Sequence, residues 1–152
     1  QRINVALCVT PANMVLDMNL IDLALGEKGK WTYPFRLLLD TGAPVMFSSD
    51  CPVCEPDPLL GIHAAVTRQR TDNTPENGWY PGSRVTVAEA LKAYTWTPAV
   101  IHNAGYIGSI APGKRADMVV LSRNILAIPP SQIPDIRVDM TLFDGRVVYR
   151  RN

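Results

Sequence analysis

The run Pro44-Val-Met-Phe-Ser-Ser-Asp50-Cys-Pro52 constrains this chain most. A short apolar stretch ends in Ser-Ser-Asp. A proline-rich loop, Glu55-Pro-Asp57-Pro58, follows it, and an apolar helical pattern begins near Leu59. Strand, loop and helix in that order make a βα unit, which buries a strand beneath helices. Such folds offer the residues at the carboxyl end of the strand to solvent, and barrel and open-sheet enzymes place their chemistry there. Asp50 is the carboxylate at that end.

The flanking segments extend the pattern. Ile3–Val9 is short, apolar and β-branched, and predicts a second buried strand closed by Thr10-Pro11. Met14–Leu25 carries apolar residues at helical spacing up to Gly26 and Gly29, and Pro34–Asp40 predicts a shorter helix stopped at Gly42. The strand near Asp50 is expected over Pro44–Ser49 and the next helix over Pro58–Arg70, with Arg68 and Arg70 on its solvated end. Thr71–Arg84 is polar and rich in Pro, Asn and Gly. It predicts a long surface loop, a candidate lid, in which Trp79-Tyr80 is a candidate substrate contact. Thr86-Val-Ala-Glu89 is a capping box that starts a helix running to about Trp96. Thr97-Pro98 then starts a short helix that ends near Gly105.

After Gly108 the character changes to small strands and turns. Asp117–Leu121 predicts a strand, Ile128–Ile133 a proline-rich excursion, and Val138–Phe143 with Arg146–Tyr149 a hairpin across Asp144-Gly145. Two sub-structures are therefore expected, 1–107 and 108–152.

Hydrophobic content of 47% with 19% charged residues fits a packed globular chain, and a net charge of +1 points to neither nucleic acid nor an anionic membrane. The start shows no secretory pattern, and three cysteines form no even framework, so reduced thiols in a cytoplasmic protein are expected. The chain opens at Gln1 and enters an apolar run at once, as a piece of a longer protein would.

Histidine is scarce. His63 falls in the helix after Asp50 and is expected on its surface or against a loop; His102 falls near a helix C-terminus and reads as structural. No His-x-His pair exists, so if Asp50 ligates a metal, most of its co-ligands lie elsewhere. Cys51-Pro-Val-Cys54 is a C-x-x-C between strand and helix. It admits a thiol redox site, or a structural zinc site with His63 that lacks a fourth ligand. Asp50 and Glu55 beside the thiols oppose thiolate formation.

Six stretches together resemble the amidohydrolase superfamily, in the branch called amidohydrolase family three. They are Tyr33-Pro-Phe-Arg36, Phe47-Ser-Ser-Asp50-Cys-Pro52, Asp57-Pro-Leu-Leu-Gly-Ile62, Thr86-Val-Ala-Glu-Ala-Leu91, Gly108–Leu121 and Asp144-Gly-Arg-Val-Val-Tyr149. The resemblance implies an α/β fold: the last two strands and helices of a (β/α)8 barrel, followed by the C-terminal strands of a small β-sandwich. It implies hydrolysis of a non-peptide carbon–nitrogen bond in a small-molecule amide, with Asp50 as metal ligand and proton shuttle. It also implies a divalent metal, zinc first, in the parent family. Where relatives often read Gln-Pro-x-His, this chain reads Thr10-Pro11-Ala12-Asn13, which removes a polar substrate-facing group of the family; Asn13 is kept as a candidate substrate contact. Without the His-x-His and the other strands, this chain by itself is expected to hold no catalytic metal and to be inactive. The bare strand edges of a partial barrel predict a homo-oligomer. The alternative is a non-catalytic module that self-associates or binds a partner.

Overall fold

The computed structural model describes residues 5–152, so Ile3 and Asn4 of the first expected strand lie outside the described residues. Strand β1 is Leu7–Val9 and strand β2 is Val45–Phe47; they pair in parallel, with Leu7 opposite Val45 and Val9 opposite Phe47. Between them run helix α1 (Pro11–Leu25), a 3-10 segment (Gly26–Trp31) and helix α2 (Phe35–Asp40). This is the expected parallel pair with a helical crossover. Both strands are shorter than the apolar runs that predicted them.

Helix α1 starts at Pro11, three residues before the first expected position, because proline at the first turn has its φ preset and lacks only an N–H that would go unused. Helix α3 (Pro58–Thr67) starts the same way, and the Asp57 side chain accepts from the Leu59 N–H at 2.9 Å. The capping box at Thr86 forms in full and opens helix α4, Val87–Tyr94. The helix expected to reach Trp96 breaks at Thr95, and helix α5 covers Trp96–Ile101. Pro98 is the reason: it has no N–H for the Tyr94 carbonyl, and its ring clashes with the preceding turn.

Helix α3 is apolar on every side and lies at the centre of the molecule. It packs against α1, against α4 and against the 3-10 turn Pro130–Asp135. Ile125, Ile133 and Ile136 from the tail share one hydrophobic cluster with Phe35, Phe47 and Ile62. Phe47 anchors the aromatic part of that core, 5.6 Å from Phe35 and 5.6 Å from Tyr94 between ring centroids. The tail forms an antiparallel sheet in the order β3 (Met118–Leu121), β4 (Val138–Phe143), β5 (Arg146–Arg150). Asp144 and Gly145 both have positive φ, 51° and 76°, as a type I′ turn requires. The Asp117 carboxylate accepts from the Asp144 N–H at 2.7 Å and ties that turn to the start of β3.

One expectation about α3 is overturned. The helix ends at Thr67, and Arg68 takes the left-handed conformation, φ 61°. This turns the side chain inward, where it is 0% exposed instead of lying on a solvated helix end. Of the two places expected for His63, the helix surface is not taken, because α3 has no solvent face there: the ring is 0% exposed and meets the Asn73 side chain of the following loop. At the molecule's edge, α1 exposes Leu16, Leu20 and Leu23, and among the described residues both outer edges of the β1–β2 pair are unpaired. No helix among the described residues is long and apolar enough to cross a membrane.

Candidate active site

Asp50 sits three residues beyond β2, at its carboxyl end, with its side chain exposed and its backbone at φ 56°. A left-handed aspartate is a strained aspartate. The turn it makes reverses the chain into the 51–56 loop, and the Val53 N–H returns to the Asp50 carbonyl at 2.8 Å. The carboxyl end of β1 lies alongside. The Ser48 N–H donates to the Val9 carbonyl at 3.0 Å, and the Ser48 and Thr10 hydroxyls meet at 3.2 Å.

Asn13, in the first turns of α1, faces the carboxylate. Its Nδ2 donates to Asp50 Oδ2 at 3.1 Å, and its Oδ1 accepts from Cys54 Sγ at 2.7 Å. The two contacts use opposite ends of one amide, so the thiol donor determines which way the amide is turned and leaves the N–H toward Asp50. Tyr33, itself at φ 47°, donates its hydroxyl to the Asp17 carboxylate on the next turn of α1. Burial, the bond to Asp17 and the nearby negative groups hold that phenol well above its ordinary range.

The thiols do not form a redox site of the usual kind. Cys54 is pushed up by burial first, then by the charges of Asp50 and Asp17, which favours the unreactive thiol. Cys51 is exposed. At pH 7.5 iodoacetamide should therefore label Cys51 well ahead of Cys54, as read by peptide mass spectrometry; equal rates would show a Cys54 thiolate that the surroundings do not support.

The expected substrate contacts behave differently from one another. Asn13 joins the Asp50 cluster. Trp79 is 7% exposed, and its indole N–H donates to Asp22 at 2.8 Å, while Tyr80 donates to the Gly26 carbonyl at 3.2 Å. Both pin the long loop to α1 and the turn after it. Arg68 completes that anchor. Its Nε donates to the Trp79 carbonyl at 2.9 Å and its Nη1 to the Tyr33 carbonyl at 2.7 Å. The guanidinium lies 5.1 Å from the Phe35 ring and 5.2 Å from the Trp79 ring. Nothing in the spacing of the sequence marked Arg68 for this position. The one legible signal was a lone basic residue just past the last apolar turn, which fits a solvated end equally well.

The resemblance implies a divalent metal. Among the described residues, no group of three or more His, Cys, Asp or Glu side chains converges. Asp50 has one oxygen engaged by Asn13, and His63 is buried in α3. These residues alone do not fit a catalytic metal, which takes about three protein ligands.

The family model described as amidohydrolase family matches residues 1–149. The chain is 31% identical over 153 residues to the protein YtcJ of Bacillus subtilis (strain 168), covering 99% of this chain and 29% of that one. It is 34% identical over 120 residues to an N-substituted formamide deformylase of Arthrobacter pascens, covering 78% of this chain and 22% of the relative. The crystal structure of an uncharacterized metal-dependent hydrolase from Pyrococcus horikoshii OT3 superposes with a TM-score of 0.71 at 28% identity, over 84% of this chain and 26% of that one. The chain thus spans less than a third of the length of each of these proteins. The mixed helix and strand content is that of their α/β fold.

Proposed function

The chain belongs to the amidohydrolase family, and from that premise we propose that it forms the carboxyl-terminal part of a metal-dependent hydrolase acting on an amide-type, non-peptide carbon–nitrogen bond. In this reading β1 and β2 are the last two strands of a (β/α)8 barrel, residues 1–107 belong to that barrel, and 108–152 belong to a small β-sandwich. The remaining strands, and the metal ligands that these residues do not supply, come from the rest of such a fold. The bare edges of the β1–β2 pair and the Leu16, Leu20, Leu23 stripe support a chain completed by further chain, whether the remainder of the fold or a second copy.

The observation that carries the proposal is the placement of Asp50. A single exposed carboxylate stands at the carboxyl end of a parallel strand, in a strained turn, oriented by Asn13. That arrangement suits a group that takes a proton from an attacking water and returns it to the leaving amine. Asn13 engages Oδ2 and leaves Oδ1 for this exchange. Asn13 is then a positioning residue rather than a substrate contact, and Trp79 and Tyr80 hold the loop. No step is assigned to a metal.

The test is a graft. The matching segment of the Arthrobacter pascens deformylase is replaced by this chain, and hydrolysis of an N-substituted formamide is measured for the graft and for its Asp50→Asn variant. Turnover should fall about a hundredfold or more in the variant, the contribution of a positioned acid–base group. A folded graft that turns over equally with Asp50→Asn would overturn the role given to Asp50.

A further inference from the structure

Cys51-Pro-Val-Cys54 stands directly beside the candidate active site and takes no part in the proposed chemistry. Both thiols are free, Cys51 exposed and Cys54 half-buried, and both line the same open cleft between α1, the 51–56 loop and α3. The loop that carries them has no helix or strand structure, and residues 51–53 and 55–57 are exposed. The Val53 N–H bond to the Asp50 carbonyl at 2.8 Å folds the loop back on itself. The spacing is that of dithiols that open and close a disulfide. Here the loop can bring its sulfurs together without moving a helix or a strand.

The two sulfurs differ in the reduced chain. Cys54 Sγ donates to Asn13 Oδ1 at 2.7 Å, and Asn13 Nδ2 donates to Asp50 Oδ2 at 3.1 Å. Cys54 is thus one side chain removed from the Asp50 carboxylate, through an amide with one donor end and one acceptor end. Burial, then the charges of Asp50 and Asp17, keep this sulfur protonated, which is the form that donates. Cys51 faces solvent and is the sulfur that a reagent meets first. A disulfide sulfur carries no hydrogen, so a Cys51–Cys54 bridge would leave Asn13 Oδ1 without its donor. The amide is then free to turn, and its N–H is no longer held toward the Asp50 carboxylate. Cys51 also follows Asp50 directly, so closing the bridge pulls on the left-handed turn at Asp50, φ 56°.

We infer, resting on the hydrolase reading above, that Cys51 and Cys54 form a reversible thiol–disulfide switch that turns the Asp50 site off when the bridge closes. The oxidant is a low-molecular-weight disulfide. The Cys51 sulfur attacks one of its sulfurs, and a mixed disulfide forms as the first thiol leaves with the proton that Cys51 gives up. The Cys54 sulfur then attacks the Cys51 sulfur and expels the second thiol, which takes the Cys54 proton. The protein loses two hydrogen atoms, and one molecule of the reagent becomes two thiols. The bridge is a state of the site and not a step of its reaction, so no resting thiolate is required.

The chain is treated with bis(2-hydroxyethyl) disulfide and followed by intact mass, by peptide mapping and by the NMR signals of the side-chain amide that Asn13→Ala removes. It should lose two hydrogens, with Cys51 joined to Cys54 and the exposed Cys8 left free, and the Asn13 amide signals should move. Dithiothreitol should reverse both changes. Cys54→Ser should stop at the mixed disulfide on Cys51. In the deformylase graft, oxidation should lower turnover about tenfold or more, the contribution of one hydrogen bond to a charged group, and dithiothreitol should restore it. The Cys51→Ser graft should keep its turnover through the same treatment. No loss of hydrogens, a mixed disulfide that persists in the wild-type chain, or a bridge to Cys8 would overturn the switch. A Cys51–Cys54 bridge that leaves the Asn13 signals in place, a bridged graft that turns over undiminished, or a Cys51→Ser graft that loses turnover as the wild-type graft does would overturn its link to Asp50. The bridge and the Asn13 signals are read without turnover, so a graft that is inactive when reduced counts against the hydrolase reading and not against the switch.

Discussion

Replacing Arg68 by alanine is expected to lower the unfolding free energy by about 4 kcal/mol, since it strands two carbonyls at about 1–3 kcal/mol each and empties a filled core position. The carbonyls are those of Trp79 and Tyr33, and the guanidinium between the Phe35 and Trp79 rings is what joins the long loop to α2. Among the described residues no carboxylate pairs with it. Burial, with a smaller contribution from Arg84, pulls it down to about 10, which leaves it a cation at neutral pH. The two ring faces and the two carbonyls take the place of a counter-ion. Urea unfolding followed by tryptophan fluorescence gives the value. Arg68→Lys should recover less than half of the loss, because one ammonium cannot reach both carbonyls while stacked between two rings. A loss below about 1 kcal/mol for the alanine variant would return Arg68 to the role of a solvated helix end.

Gly78→Ala should cost about 3 kcal/mol, from about 1–2 kcal/mol for a left-handed residue with a Cβ and about 1–3 kcal/mol for overpacking. Gly78 has φ +72°, and a Cβ there would stand 2.4 Å from the Thr67 carbonyl oxygen and 2.7 Å from Arg84 Nη2. Arg84 bridges the Thr67 and Asn77 carbonyls, and the Trp79 N–H closes on the Arg68 carbonyl at 2.8 Å. The added methyl therefore pushes at the place where the loop meets the end of α3. Gly82→Ala is the control, since nothing lies within 4 Å of its Cβ position. Thermal unfolding should separate the two variants clearly. Equal melting temperatures would mean that the loop opens away from α3 without cost.

Both predictions concern the segment that was hardest to read. The polar, Pro- and Asn-rich composition of Thr71–Arg84 marks a loop, and the chain there is indeed without regular structure apart from the 3-10 turn Pro81–Ser83. Composition carries no information on which loop residues turn inward. Trp79 and Arg68 are buried because α3 ends one turn early and Arg68 goes left-handed, a backbone event with no periodic signature. The surface and loop places for His63 could not be separated for a related reason: a helix with neighbours on every side has no polar face against which a histidine can be placed.

What the sequence determined by itself is what depends on neighbours along the chain. Proline at the first helical turn, the Thr86–Glu89 box and the Asp144-Gly145 turn act within four residues, and each forms as the residue types require. The parallel pairing of β1 and β2 was legible because two apolar β-branched runs separated by helices have few other ways to be buried. The order of six short motifs marked the family. The tertiary structure alone decided which groups meet across long separations. Asn13 reaches Asp50 over 37 positions and Cys54 over 41, and Arg68 reaches Tyr33 over 35. Those contacts arise from how α1, the 51–56 loop and α3 pack. Packing is a property of complementary shape and of buried polar groups seeking partners, which periodicity along a chain does not encode.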